Sequence, residues 1–146
     1  MGMKLPADVE RRILSQAAET GKAGQDDRER NSVSFMLPLS PSTNNLFATV
    51  GKHRIKTREY KAWGDVAALE IAKNKFHVAS PVSIEIVLFG KVFQARDLDN
   101  FAKPCLDALV QAGIIDGDSL LHVHDVHLNY QPSEEEAFLR VTVRRM

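Results

Sequence analysis

The chain has 146 residues, 44% of them hydrophobic, with 19 Lys and Arg against 19 Asp and Glu. That is the length of one ordinary domain with apolar side chains enough for one core. The formal net charge of zero excludes any global attraction to nucleic acid, membrane or an acidic partner, so an electrostatic argument must be local.

In chain order, residues 5–18, "LPADVERRILSQAA", predict a short amphipathic helix. Val9, Ile13 and Ala17 fall at i, i+4 and i+8, and Pro6 and Asp8 suit a helix start. "ETGKAGQDDRERNS" then reads as a polar linker. Residues 1–30 are accordingly an N-terminal helix and linker extension, and residues 31–146 the main domain. "SVSFMLP" alternates Val33, Phe35 and Leu37, a strand ended by Pro38 and "SPSTNN". A basic segment follows, "GKHRIKTREYKAW". From Thr57 to about Ala72 the pattern is helical, with Thr57 as N-cap and Tyr60, Trp63, Val66, Ala67 and Ile71 on the apolar side. "PVSIEIVLFG" is a second strand. A second main helix carries Phe101, Cys105, Leu109 and Ala112 on one stripe, with Leu106 and Val110 beside it. Pro104 places its start around residues 100–103, because proline is tolerated only in the first turn, and Gly113 is its C-cap. Asp97 and Asp99 therefore lie in the turn feeding the helix. "SLLHVHDVHLNY" and "EAFLRVTVRR" read as two final strands with "QPSEEE" as the hairpin loop between them. The expected fold is a single α+β domain, a β-α-β-α-β-β mixed sheet packed by two main helices, with the N-terminal helix as an appendage.

The single cysteine, Cys105, excludes an internal disulfide and a multi-cysteine zinc site. It sits on the apolar helix stripe and reads as a small core residue. The N-terminus lacks the apolar stretch of a secretory signal. Pro6 stands where a myristoylation motif needs Ser or Thr, and no apolar run is long enough to span a bilayer. A cytoplasmic protein without a membrane partner is expected.

The acidic residues near the second helix carry the chemistry. Two residues apart in an extended segment, Asp97 and Asp99 point to the same side. Asp99, Lys103 and Asp107, each four apart, share one helix face. A second acidic pair, Asp116 and Asp118, follows the helix and reaches the first only if the chain turns back. Crowded carboxylates repel unless a cation compensates them. Oxygen ligands without imidazole or thiolate favour a hard ion, Mg²⁺ with Mn²⁺ as a substitute. Such an ion activates water and stabilises a leaving oxygen, and a nearby lysine suits charge growing on a phosphate. Metal-assisted phosphodiester hydrolysis fits, with no small-molecule cofactor. The plainer reading is that Asp99 is a helix cap and Lys103–Asp107 a solvated helical ion pair. An EF-hand loop from Asp97 is excluded, since its sixth and twelfth positions are Ala102 and Ala108.

"RDLDNFAKPCLDALVQAGIIDGDS" resembles the signature of the RusA family of Holliday junction resolvases: Asp-Leu-Asp-Asn, a lysine four residues after the second aspartate, a "DAL" helix, a Gly-hydrophobic-hydrophobic turn and a further aspartate. "PLSPSTNNLF" and "KTREYKAW" resemble other segments of that family, and the likeness spans roughly Phe35 to Val143. It implies a Mg²⁺-dependent endonuclease acting on four-way DNA junctions as a homodimer, in recombination and repair, and often of prophage origin. It places the acidic metal-binding trio on Asp97, Asp99 and Asp118 and the essential lysine on Lys103. Where the family often has adjacent aspartates this chain has Asp116-Gly117-Asp118. Spacing assigns Asp118, with Asp116 as its rival.

Lys52, Arg54, Lys56, Arg58 and Lys61 stand with His53 against one acid, Glu59. They read either as a solvated loop and helix start or as a phosphate-contacting segment. The resemblance favours DNA contact. Asn44 and Asn45 suit turn chemistry, and Asn45 also suits a DNA contact. His122 and His124 on one strand face, with His127 on the other, read as the polar face of a half-exposed strand. Two rival functions remain open: a non-catalytic DNA-binding protein with a decayed site, for which Gly117 argues, and a less selective nuclease acting on forks or flaps.

Overall fold

The computed structural model describes residues 31–42, 46–92 and 96–146. The elements are β1 (Ser32–Pro38), β2 (Phe47–Val50), β3 (His53–Lys56), α1 (Arg58–Ala72), β4 (Val82–Lys91), a 3-10 turn η1 (Leu98–Phe101), α2 (Ala102–Gln111), β5 (Val123–Glu136) and β6 (Phe138–Arg145). The expected helix and linker over residues 1–30, together with Asn44 and Asn45, lie outside the described residues.

Alternation makes the main sheet two-faced. Val33, Phe35 and Leu37 of β1, Val82, Ile84, Ile86 and Leu88 of β4, and Leu139, Val141 and Val143 of β6 are buried in one cluster with the apolar stripes of α1 and α2. Each fully buried Leu, Ile or Val contributes roughly 1.5–3 kcal/mol relative to exposure. The opposite face is mostly polar, with Ser34 bonded to Thr142 and Phe89 stacked on Phe138.

Both helices end as their sequences direct. Thr57 caps α1, its hydroxyl accepting from the Tyr60 N–H at 3.2 Å. Trp63 Nε1 donates to the Pro38 carbonyl at 2.8 Å and pins α1 to the end of β1. α2 begins at Ala102, with Pro104 in its first turn and buried. At its other end Gly113, at φ +75°, donates to Val110 O, and Ile114 donates to Leu109 O. This is a Schellman ending, with Ile114 and Leu109 both fully buried.

Two expectations are corrected. The basic segment contains a hairpin, in which β2 and β3 pair from Phe47↔Lys56 to Val50↔His53 around Gly51, at φ +63°. β5 and β6 do not form a hairpin. The sheet order is β1-β6-β4-β5, with β5 parallel to β4 and β6 antiparallel to it, so consecutive strands lie on opposite sides of β4. "QPSEEE" belongs to the span of β5, where the register jumps from Gly90↔Pro132 to Lys91↔Glu136. The chain crosses β4 at Ala137. Gly90, at φ +102°, lets it pass: a Cβ there would stand 2.7 Å from Ala137 Cα.

Candidate active site

α2 and the loop after it build the site. The Schellman turn reverses the chain, and Ile114 and Ile115, both buried, anchor the returning strand of loop. The Val78 N–H donates to the Ile114 carbonyl at 2.9 Å, which ties this loop to the segment between α1 and β4. The return brings Asp118 back to the first turn of α2, where its Oδ2 lies 3.4 Å from Lys103 Nζ. Lys103 also meets Asp107 Oδ1 at 2.9 Å. The two carboxylates hold the lysine's pKa above its ordinary value, the Asp107 hydrogen bond contributing most and partial burial opposing it.

Asp107 has a second partner that the sequence did not indicate. Tyr60 Oη donates to its other oxygen at 2.5 Å. The phenol is pushed well above its usual pKa, first by burial and then by this bond to a carboxylate. Tyr60 was expected as core and is core, its ring stacked on Trp63 and edge-on to Phe47. Its hydroxyl nevertheless reaches the polar face of α2. A Tyr in an apolar stripe hints that its O–H needs a partner, but nothing local says which one.

Asp97 and Asp99 stand at the entrance of α2. Asp97 is the N-cap of η1, its carbonyl accepting from Asn100 N–H, while its carboxylate makes no capping hydrogen bond. Both side chains are exposed. Just before them Arg96 Nη1 donates to the Ser40 carbonyl at 2.9 Å, and the guanidinium lies 5.5 Å from the Phe101 ring. Arg96 therefore fastens the approach to Asp97 onto the segment after β1. The donor set of Asp97, Asp99 and Asp118 is all carboxylate and fits a hard divalent cation. Among the described residues, no three His, Cys, Asp or Glu side chains form a group close enough to hold a metal ion.

Asp116 turns elsewhere. Its Oδ1 lies 3.0 Å from His77 Nε2, and Ser80 Oγ donates to its Oδ2 at 3.4 Å. The His77 hydrogen bond is the largest influence lowering its pKa. Ser80 Oγ also bonds His122 Nδ1 at 2.9 Å. His122 thus precedes β5 and faces the Ser80 loop instead of sharing a strand face with His124. The register skips His124 between Val82↔Val123 and Ser83↔Asp125.

Of the basic residues, Arg54 lies over the Phe47 ring at 4.2 Å and Lys56 over Tyr60 at 5.1 Å, on one face of the β2–β3 hairpin. Lys52 sits exposed in the hairpin turn, and Arg58 and Lys61 are exposed on the first turn of α1. Lys56 and Lys61 also line an open cleft of about 310 Å³ with Tyr60, Ala108 and Gln111. The basic residues therefore flank Tyr60, which leads through Asp107 to Lys103.

Comparison with known proteins agrees with this geometry. The family model for the RusA endodeoxyribonuclease matches residues 38–144. Crossover junction endodeoxyribonuclease RusA of Escherichia coli strain K12 is 31% identical over 119 residues, covering 80% of this chain and 97% of that protein. The proteins of the same name from strains O1:K1 and CFT073 match to the same extent. The fold and site are those of an endonuclease that hydrolyses DNA. The chain belongs to the RusA endodeoxyribonuclease family. No helix among the described residues is long and apolar enough to cross a membrane.

Proposed function

We propose that this protein resolves four-way DNA junctions by paired phosphodiester hydrolysis, working as a homodimer in the cytoplasm, with residues 31–146 as the nuclease domain and residues 1–30 as an extension. The observation that carries the reading is the return of Asp118 across 15 residues of chain to Lys103, at the end of α2 fed by Asp97 and Asp99. Asp97, Asp99 and Asp118 would hold Mg²⁺, or Mn²⁺ in its place. When bound, the ion supplies Lewis acidity for the scissile phosphate and lowers the pKa of attacking water. Lys103 stabilises negative charge on the phosphate or the leaving oxygen. Lys52, Arg54, Lys56, Arg58, Lys61 and Asn45 contact the phosphate backbone.

Asp118 is favoured over Asp116 because Asp116 is occupied by His77 and Ser80, whereas Asp118 faces Lys103. Gly117, the departure that suggested a decayed site, has a packing reason of its own: the His122 ring fills the space a side chain there would need.

The test is incubation with end-labelled four-way junction, linear duplex and forked DNA, with Mg²⁺, with EDTA, and with Asp99→Asn. Symmetric nicks confined to the junction, requiring both Mg²⁺ and Asp99, are expected. Asp99→Asn should still bind the junction. Equal cutting of forks would replace the resolvase reading by a broader nuclease, and binding without nicking by a DNA-binding protein.

A further inference from the structure

Asp107 has no part in the site as described so far, and its contacts give it one. We propose that Asp107, held from the core by Tyr60, is a positioning residue that sets the Lys103 ammonium in place for the reacting phosphate; this rests on the role given to Lys103 above.

The two oxygens of Asp107 are divided between two partners: Oδ2 takes the hydrogen bond from Tyr60 Oη, and Oδ1 faces Lys103 Nζ. The Tyr60 ring is 3% exposed and packed on Trp63 and Phe47, so its hydroxyl is aimed by the core. Exposure then rises along the chain of contacts, with side-chain values of 19% for Asp107 and 48% for Lys103. A fixed end therefore leads outward to a mobile one. Lysine ends in a compact charge on a flexible stem with three rotatable donors and does not position itself. A carboxylate locked by a buried phenol does this for it.

Helix stability is a poor explanation of the pair. An i,i+4 pair favours a helix more when the acid precedes the base, and here Lys103 precedes Asp107. The lengths point the same way. Lys103 lies closer to Asp107, at 2.9 Å, than to Asp118, at 3.4 Å. If Asp118 turns to another partner, Lys103 keeps its place.

The experiment compares the unaltered protein, Asp107→Asn and Tyr60→Phe in single-turnover cleavage of a four-way junction, with the junction Kd measured in parallel. Asp107→Asn keeps an acceptor for Tyr60 but loses the charge. Because misplaced reacting groups lose rate far more than binding, we expect Asp107→Asn to slow cleavage about tenfold or more and Tyr60→Phe less, with Kd nearly unchanged. A second readout is the ¹⁵N signal of the Lys103 ammonium, which persists only while hydrogen bonds slow its proton exchange. We expect it in the unaltered protein and not in Asp107→Asn. Cleavage by Asp107→Asn at the unaltered rate, or an equal loss of binding and cleavage, would overturn this proposal alone. Failure of the unaltered protein to cut would overturn the nuclease reading and this proposal with it.

Discussion

Gly117 and His122 occupy one space: a Cβ built on Gly117 would stand 2.7 Å from His122 Cδ2. The glycine is there for room, since its φ is not in the left-handed region. His122 uses the room to bond Ser80, which in turn bonds Asp116. Gly117→Ala should therefore destabilise the protein by about 1–3 kcal/mol through overpacking. His122→Ala should remove most of that penalty. Urea unfolding of both single variants and the double variant measures the coupling, and additive losses would refute the shared space.

Asp116 and Asp118 make opposite contacts and should behave oppositely in cleavage. Asp118→Asn is expected to lower the cleavage rate by about two orders of magnitude or more, as the loss of a group aimed at transition-state charge does. Asp116→Asn is expected to stay within a few-fold of the unaltered rate. The reverse ranking in a junction-cleavage assay would make Asp116 the metal ligand.

The Asp116 contact also sets a pH dependence. Its carboxyl is held below its ordinary value chiefly by the His77 hydrogen bond. A depressed carboxyl contributes stability that is fully present above its unfolded pKa and lost as pH falls through the lower folded pKa. The melting temperature of the unaltered protein should therefore converge with that of Asp116→Asn as pH drops below about 4. A constant gap down to strongly acidic pH would show that the contact does not favour the charged form.

Cys105 is fully buried, and burial pushes its thiol up to about 12. The thiolate is the reactive species, so the folded protein at mildly alkaline pH should not react with a disulfide reagent. The thiol should appear at the rate of unfolding when urea is added. Rapid stoichiometric labelling of the native protein would place Cys105 outside the core.

Gly90→Ala should prevent the native sheet from forming. The new methyl would meet the crossing backbone at Ala137 and Glu136, and φ +102° is costly for any side chain. Soluble, cooperatively melting Gly90→Ala would contradict the crossover.

The sequence by itself determined what repeats over a few residues. Strand alternation in β1 and β4, the apolar stripes of α1 and α2, the Thr57 cap and the Gly113 ending were all legible, because backbone periods of two and 3.6 and local cap bonds write themselves within one or two turns. The acidic motif with Lys103 was legible for the same reason, since its members are close in sequence. Tertiary structure alone decided which side of β4 receives each final strand, that Asp118 rather than Asp116 meets Lys103, and that Tyr60 reaches Asp107 across 47 residues. Even the place of the crossover, a glycine in a strand, gave only a hint of close approach. Such contacts depend on how whole elements are set against one another, and that placement is fixed by the packing of the shared core rather than by the residues near either partner.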